Sequence, residues 1–375
     1  MVKIAIVAGL NRSLINFRGD LIQAWLNQGH EVLALAPGDE VKDKIHALGA
    51  SYVSIPLQRT GLNPIKDLET LRSLTAILKE EKPDIAFLYT IKPVIFGSLA
   101  ASWAKVPEIY SMITGLGFVF SGNTLKHRFL KRIVIQLYKT AMQRNKRIFF
   151  QNPDDILDFT SYGIIARDQK VVQINGSGVN VDWFFPAPLP SGPLTFLLIA
   201  RMIWDKGIGE YVEAAREIKR KHPEVQFKLV GPQDENPAAI KKEDIERWKV
   251  EQVIDYYDRL DDVRPVMKQA SVYVLPSYRE GTPRTVLEAM SMGRPIITTD
   301  APGCRETVQD GVNGFLVPVK DSKALAQTME LFIKEPGMIQ DMGLQSRKIA
   351  EEKYDVHKVN RVILEAMGLN KAWEA

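Results

Sequence analysis

Two carboxylates and two cations carry the clearest chemical signal in this 375-residue chain. Glu280 stands just before a stretch that reads as a helix, with Thr282 suited to its N-cap and Pro283 to its first position. Glu288 lies six residues past Thr282, roughly 9 Å deeper at about 1.5 Å per residue. One acid so placed reaches a ligand at the helix mouth, and the other a group lying alongside the first turns. Backbone N–H groups at the mouth favour an anion. The pattern suits a ligand with a phosphate at the mouth and hydroxyls on either side. Taken singly, Glu280 also reads as a solvated loop acid and Glu288 as a surface helix residue; Gly281, Thr282 and Pro283 strengthen the pair. Arg201 and Lys206 follow the apolar run Thr195–Ile199 and precede a helical stretch, Gly209–Lys221. A forked and a point-like cation beside helix N-termini make a diphosphate site, or else two solvated loop cations.

The elements that must position these groups are legible around them. Val272–Leu275 is a short apolar strand ended by Pro276. Val286, Leu287 and Met290 give the next helix an apolar face, Gly293 suits its end, and Pro295–Thr299 reads as a second strand. Ala301-Pro302-Gly303-Cys304-Arg305 is then expected to turn into a further helix. Such crossovers place their loops at the carboxyl ends of the strands, where open α/β sheets bind ligands.

The first half has the same rhythm. Ile4–Ala8 reads as a buried parallel strand, followed by Gly9, a helix through Trp25 and a strand at Glu31–Ala36. The opening lacks a G-x-G-x-x-G fingerprint, which argues against a nicotinamide cofactor. Gly9 more simply lets a ligand or a facing domain approach the backbone. Ile85–Tyr89 leads to the loop Thr90-Ile91-Lys92-Pro93, and Glu108–Met112 to a loop carrying Thr114. A doubly wound parallel sheet is predicted to about residue 180, with Phe184 to Pro193 as linker.

No acidic residue falls between Glu108 and Asp154, whereas Lys126, Arg128, Lys131 and Arg132 open a run of cations. Phe129, Ile133, Leu137 and Ala141 recur every four residues beside Leu130, Val134 and Tyr138, so the segment is a basic amphipathic helix. It reads either as a packed helix with a solvated basic face, or as one facing anionic lipid or an acceptor diphosphate. No stacking aromatics interleave the charges and no nucleic-acid motif appears, which argues against nucleic acid. One cysteine excludes an intrachain disulfide and points to a cytosolic protein. No signal-like segment opens the chain, no stretch reaches 18 apolar residues, and the net charge is a mild +4.

The stretch Glu280-Gly281-Thr282-Pro283-Arg284-Thr285-Val286-Leu287-Glu288-Ala289 resembles the E-x7-E signature of retaining glycosyltransferases of family 4. The usual form has a bulky apolar residue where this chain has Thr282. The resemblance covers nearly the whole chain and is strongest to the bacterial subgroup that extends polyprenyl-diphosphate-linked saccharides, N-acetylgalactosaminyltransferases of protein glycosylation included. It implies a GT-B fold, α/β, with two Rossmann-like domains facing across a cleft. The expected divisions are an acceptor domain over 1–185, a nucleotide-sugar domain over 186–353, and a final helix over 354–375 returning to the first domain.

The resemblance also implies the roles. A nucleotide-sugar donor, expected to be a UDP-sugar, loses its diphosphate as positive charge builds on the ring. Arg201, Lys206 and helix N–H groups near Gly303 would stabilise the leaving phosphate, with no metal and no further cofactor required. Glu280 would accept hydrogen bonds from the sugar and Glu288 from the ribose, with Gly281, Thr282 and Pro283 lining the same site and Arg259 near the base. The acceptor, a polyprenyl-diphosphate-linked saccharide, would come from around Gly9, Lys92 and Thr114. The enzyme would sit peripherally on the inner face of a bacterial plasma membrane through the basic helix. Many relatives carry a histidine in the loop that holds Thr114, and none of the five histidines here lies there. That departure fits a retaining front-face mechanism, in which the leaving phosphate takes the acceptor proton. The competing classes are a sugar phosphorylase or nucleotide-sugar hydrolase, a nucleotide-sugar epimerase, and a non-catalytic sugar- or lipid-binding protein.

Overall fold

In the computed structural model, the residues described are 1–59, 61, 63–116, 120, 125–165, 169–234 and 238–369, with side chains of the basic helix described from residue 128. They form two compact units, Met1–Ser177 with the described residues from His357 on, and Gly178–Val356.

The first unit is a parallel sheet of β1 (Lys3–Val7), β2 (Glu31–Ala36), β3 (Ser51–Ser54), β4 (Ile85–Tyr89), β5 (Glu108–Ile113), β6 (Arg147–Phe150) and β7 (Val171–Gln173), in the order β3-β2-β1-β4-β5-β6-β7. Helices α1 (Asn11–Asn27), α2 (Lys42–Leu48), α3 (Pro64–Glu81), α4 (Ser98–Trp103), α5 (Leu125–Met142) and α6 (Pro153–Ser161) connect the strands. Ile4 to Val7 are wholly buried, as a central parallel strand covered on both faces requires. The helix starts follow ordinary capping chemistry. Asn63 accepts from the Ile65 and Lys66 N–H groups with Pro64 at the first helical position, and Asn152 does the same for Asp155 ahead of Pro153.

The second unit repeats the plan with β8 (Thr195–Ile199), β9 (Gln226–Val230), β10 (Asp255–Tyr257), β11 (Val272–Leu275), β12 (Ile296–Thr299) and β13 (Gly314–Val317), ordered β10-β9-β8-β11-β12-β13. Its helices are α7 (Ile208–Lys221), α8 (Lys242–Val250), α9 (Arg264–Lys268), α10 (Arg284–Ser291), α11 (Ser322–Lys334) and α12 (Gly337–Ile349). The strand order reverses once in each unit, between β1 and β4 and between β8 and β11. The loops after those four strands therefore diverge to opposite faces and leave a crevice at each switch point.

The chain passes between units at 177/178, earlier than the linker composition around residue 185 suggests. Val179 and Phe184 are buried in the core of the second unit. The Val179 N–H donates to the Tyr354 carbonyl at 2.7 Å, and the Val356 N–H donates back to Val179 at 2.9 Å. The prolines beyond are no loose tether either. The wholly buried Arg294 donates to the carbonyls of Ala187, Pro188, Met267 and Lys268. The final helix, α13 (Val356–Met367), contributes Val359, Ile363, Leu364 and Met367 to the core around Ile4, Ile6 and Trp25 of the first unit.

Candidate active site

The switch point of the second unit is built by two loops that clasp each other. After β8, the chain runs through Arg201 into a single 3-10 turn, Trp204–Lys206, and then Gly207 at φ 70°. After β11 it runs through Ser277 and Tyr278 to Glu280. A Cβ on Gly207 would collide with the Pro276 carbonyl, so only glycine lets the two loops come this close. The Tyr278 N–H donates to the Asp205 carbonyl at 2.9 Å. The Lys206 ammonium donates to Glu280 Oε1, and Ser277 Oγ reaches the same oxygen at 2.8 Å. Lys206 and Glu280 are only 17% and 13% exposed, so the pair is partly shielded from water. The sequence signals for a phosphate-holding cation and a hydroxyl-reading acid thus meet in one ion pair, 74 residues apart in the chain.

Gly303, at φ 80°, packs against this loop so tightly that a Cβ would strike the Glu280 carbonyl; the Glu280 N–H donates to Pro302 at 2.9 Å. The helix expected after Gly303 is a single 3-10 turn, Arg305–Thr307. Val308 turns extended, and the buried Asn313 carboxamide ties down Gln309 N–H and the Thr307 carbonyl in a tight turn before β13. The N–H array of a full helix is therefore not what Gly303 supplies; it buttresses the Glu280 backbone.

α10 begins one residue later than its sequence suggests. Pro283, with extended ψ of 108°, holds the N-cap place expected of Thr282. Tyr273 ties this first turn to β8, donating within reach of Thr285 Oγ1 at 2.6 Å and the Ile199 carbonyl at 3.1 Å. Glu288 lies one turn further in and accepts from Arg284 Nε at 3.2 Å. Burial raises its carboxyl pKa above the ordinary value, outweighing the opposing pull of the Arg284 guanidinium. A surface helix acid would not be so placed: the side chain is 12% exposed.

Arg201 is 42% exposed and donates through Nη1 to Asp234 Oδ2 at 2.7 Å. Asp234, in the loop after β9, escaped the sequence reading because nothing local marks it as the partner of an arginine 33 residues earlier. Arg259 is exposed just past β10.

In the first unit, Gly9 and the residues after β4 meet at the other switch point. A Cβ built on Gly9 would stand 2.7 Å from Thr90 Oγ1. Lys92 is bound to Asp67 of α3 at 2.6 Å, with both side chains largely buried, so its charge is already engaged within the unit. Thr114 follows the end of β5. The basic helix divides its cations. Lys131 turns inward, its Nζ 2.9 Å from the Tyr162 hydroxyl and 4.3 Å from that ring's centroid, rather than outward as its position in the charge run suggests. Arg128 and Arg132 are exposed, flanking Phe129 and Ile133 at 67% and 43% exposure; the Lys126 side chain lies outside the described residues.

Residues 193–335 match the family model described as glycosyl transferases group 1, and residues 3–152 match glycosyl transferase 4-like. With this fold and these two domains, the chain is a glycosyltransferase of the GT-B class. It is 28% identical, over 89% of its length and 90% of the relative's, to the N,N'-diacetylbacillosaminyl-diphospho-undecaprenol alpha-1,3-N-acetylgalactosaminyltransferase of Campylobacter jejuni. It is 26% identical, over 71% of its length and 70% of the relative's, to an Escherichia coli UDP-Gal:alpha-D-GlcNAc-diphosphoundecaprenol alpha-1,3-galactosyltransferase. Among solved structures, sucrose-phosphate synthase from Thermosynechococcus elongatus superposes with a TM-score of 0.81 at 16% identity, covering 98% of both chains. Anabaena HepE in complex with UDP-glucose gives 0.78 at 18% identity, covering 98% of this chain and all of that one. The named relatives are transferases, and the phosphorylase and epimerase alternatives find no support among them.

Proposed function

We propose that this enzyme moves an N-acetylhexosamine from a UDP-sugar, with retention at the anomeric carbon, to a saccharide carried on a polyprenyl diphosphate. The observation that carries this reading is the Lys206–Glu280 pair at the second unit's switch point, with Arg201 on the same loop. Both relatives above are named for diphospho-undecaprenol saccharide acceptors, and HepE holds UDP-glucose at the same fold.

In the free enzyme Lys206 and Glu280 neutralise each other, and Asp234 holds Arg201. A bound donor offers each a new partner: the diphosphate takes the two cations, and the sugar hydroxyls donate to Glu280. Glu288, deeper along α10, accepts from the ribose. As the bond between the anomeric carbon and the phosphate oxygen breaks, charge grows on the diphosphate, and Lys206 and Arg201 stabilise it more strongly than in the ground state. The acceptor hydroxyl attacks from the same face and its proton passes to the departing phosphate oxygen. The exposed Arg128 and Arg132, with Phe129 and Ile133 beside them on the helix, suit a cytoplasmic anionic membrane surface, apolar side chains entering and guanidinium groups pairing with phosphate.

A panel of nucleotide sugars offered with a polyprenyl-diphosphate monosaccharide tests the proposal. One added N-acetylhexosamine by mass spectrometry, α-linked by NMR, is the expected product. Hydrolysis of the donor without transfer, or a β-linked product, would overturn it.

A further inference from the structure

The first unit's switch point breaks three rules of backbone and packing within eight residues. Thr90 has φ 69°, and among the described residues it is the sole β-branched one with positive φ. The chain then winds a π-turn, Pro93–Gly97, before α4. The Thr90 Oγ1 is buried and meets no hydrogen-bond partner among the described residues. Left-handed backbone in a β-branched residue is a true outlier, π-turns gather at functional sites, and buried hydroxyls almost always find a partner. Glycine or asparagine would make this turn without the penalty. What threonine adds is a hydroxyl.

The surroundings accommodate that hydroxyl. It faces Gly9 across the switch point, where any Cβ would stand 2.7 Å away. The strand end beneath is locked: Tyr89 shares a 2.8 Å hydrogen bond with Ser13, and the Arg18 guanidinium lies 5.0 Å from its ring centroid. The turn is thus held in a costly conformation by a rigid floor, with its one polar group unanswered and a glycine opposite.

Resting on the reading that the second unit holds the donor, we infer that Thr90 binds the acceptor saccharide, its hydroxyl pairing with a sugar oxygen. A rotation about its Cα–Cβ bond is the smallest movement that brings Oγ1 from the Gly9 side to a ligand. Binding then supplies the partner the free enzyme lacks, which makes acceptor affinity sensitive to this one oxygen.

Thr90→Val keeps the shape and deletes the hydroxyl; Thr90→Ser keeps the hydroxyl and removes the methyl. In steady-state kinetics with a polyprenyl-diphosphate monosaccharide, Thr90→Val is expected to lower acceptor kcat/KM at least tenfold. Donor KM should stay within twofold, and the melting temperature should be unchanged or higher because a buried unpaired hydroxyl is gone. Thr90→Ser should stay within threefold of the parent. If Thr90→Val fails to fold, Thr90→Ala serves the same arm. Parental kinetics in Val, equal losses in Val and Ser, or a loss confined to donor KM would each overturn the inference. A parent enzyme inactive on every such acceptor would instead sink the functional proposal, and calorimetry of saccharide binding to parent and Thr90→Val would still test Thr90.

Discussion

The two switch points use one topology in opposite ways. Each follows a central strand with a loop that glycine brings close to its neighbour, Gly9 against Thr90 in one unit and Gly207 against Pro276 in the other. In the second unit the polar groups satisfy each other: Lys206 with Glu280, Ser277 with Glu280, Arg201 with Asp234. In the first, Thr90 Oγ1 stays unanswered on a strained backbone, a combination worth on the order of 1–3 kcal/mol for each defect. A site for a charged diphosphate can rest with its cations neutralised by acids that the ligand displaces. A site for neutral hydroxyls, as inferred for Thr90, has no such stand-in: its hydroxyl waits for a partner, while the backbone strain at φ 69° stays with or without one.

The hardest blow to this contrast is removal of the cation. Lys206→Ala should lower donor kcat/KM about 10²–10³-fold, equivalent to about 2–4 kcal/mol of transition-state stabilisation, and leave Glu280 without its ion-pair partner. Parental kcat/KM on the best donor would show that the pair is merely structural.

The two acids divide the second unit's site more finely. Glu280→Gln should leave nucleoside diphosphate affinity nearly unchanged while lowering donor kcat/KM about 10²-fold. Glu288→Gln should weaken both the nucleoside diphosphate and the donor in calorimetry. The reverse pattern would exchange their assignments. Glu288→Gln has a second signature. Burial raises the folded-state pKa of Glu288, so the fold favours its protonated form. Its contribution is fully present below the unfolded pKa and is lost as pH rises through the folded value. The mutant lacks this loss, so its melting temperature should gain on the parent's as pH is raised across that window. A difference that does not change with pH would mean that Glu288 titrates as it does in water.

The smallest effect belongs to the first unit's outer face. Removing Arg128 and Arg132 together should weaken binding to anionic vesicles by about 1 kcal/mol per charge and flatten its salt dependence, with donor kinetics unchanged. Sedimentation with equal binding by mutant and parent across salt concentrations would exclude an electrostatic role for this face.

What the sequence showed, and what it hid, follows from range. β11 is legible residue for residue, since an apolar run closed by proline is a local signal. The Lys206–Glu280 contact is not, because it depends on β8 and β11 being sheet neighbours. The four-residue stripe on α5 failed for a geometric reason. Each step of four advances about 40° beyond a full turn, so three steps back from the buried Ala141 leave Phe129 roughly 120° off the packed face. The loop beginning at Thr90 is legible from the strand end at Tyr89 and from Pro93, but a β-branched residue carries no signal for the left-handed φ of 69° that Thr90 adopts.

The final helix makes the first unit discontinuous, and that sets an order of events at the ribosome. Its core around Ile4 and Trp25 waits for Val359 and Ile363, while the second unit is one unbroken stretch. At roughly 5–20 residues per second, the intervening segment takes on the order of ten to forty seconds to emerge. The half synthesised first is therefore finished last, with part of its apolar surface uncovered meanwhile. A nascent chain stalled before residue 356 should bind an apolar dye that the full chain excludes; equal binding would mean that the first half closes without its last helix.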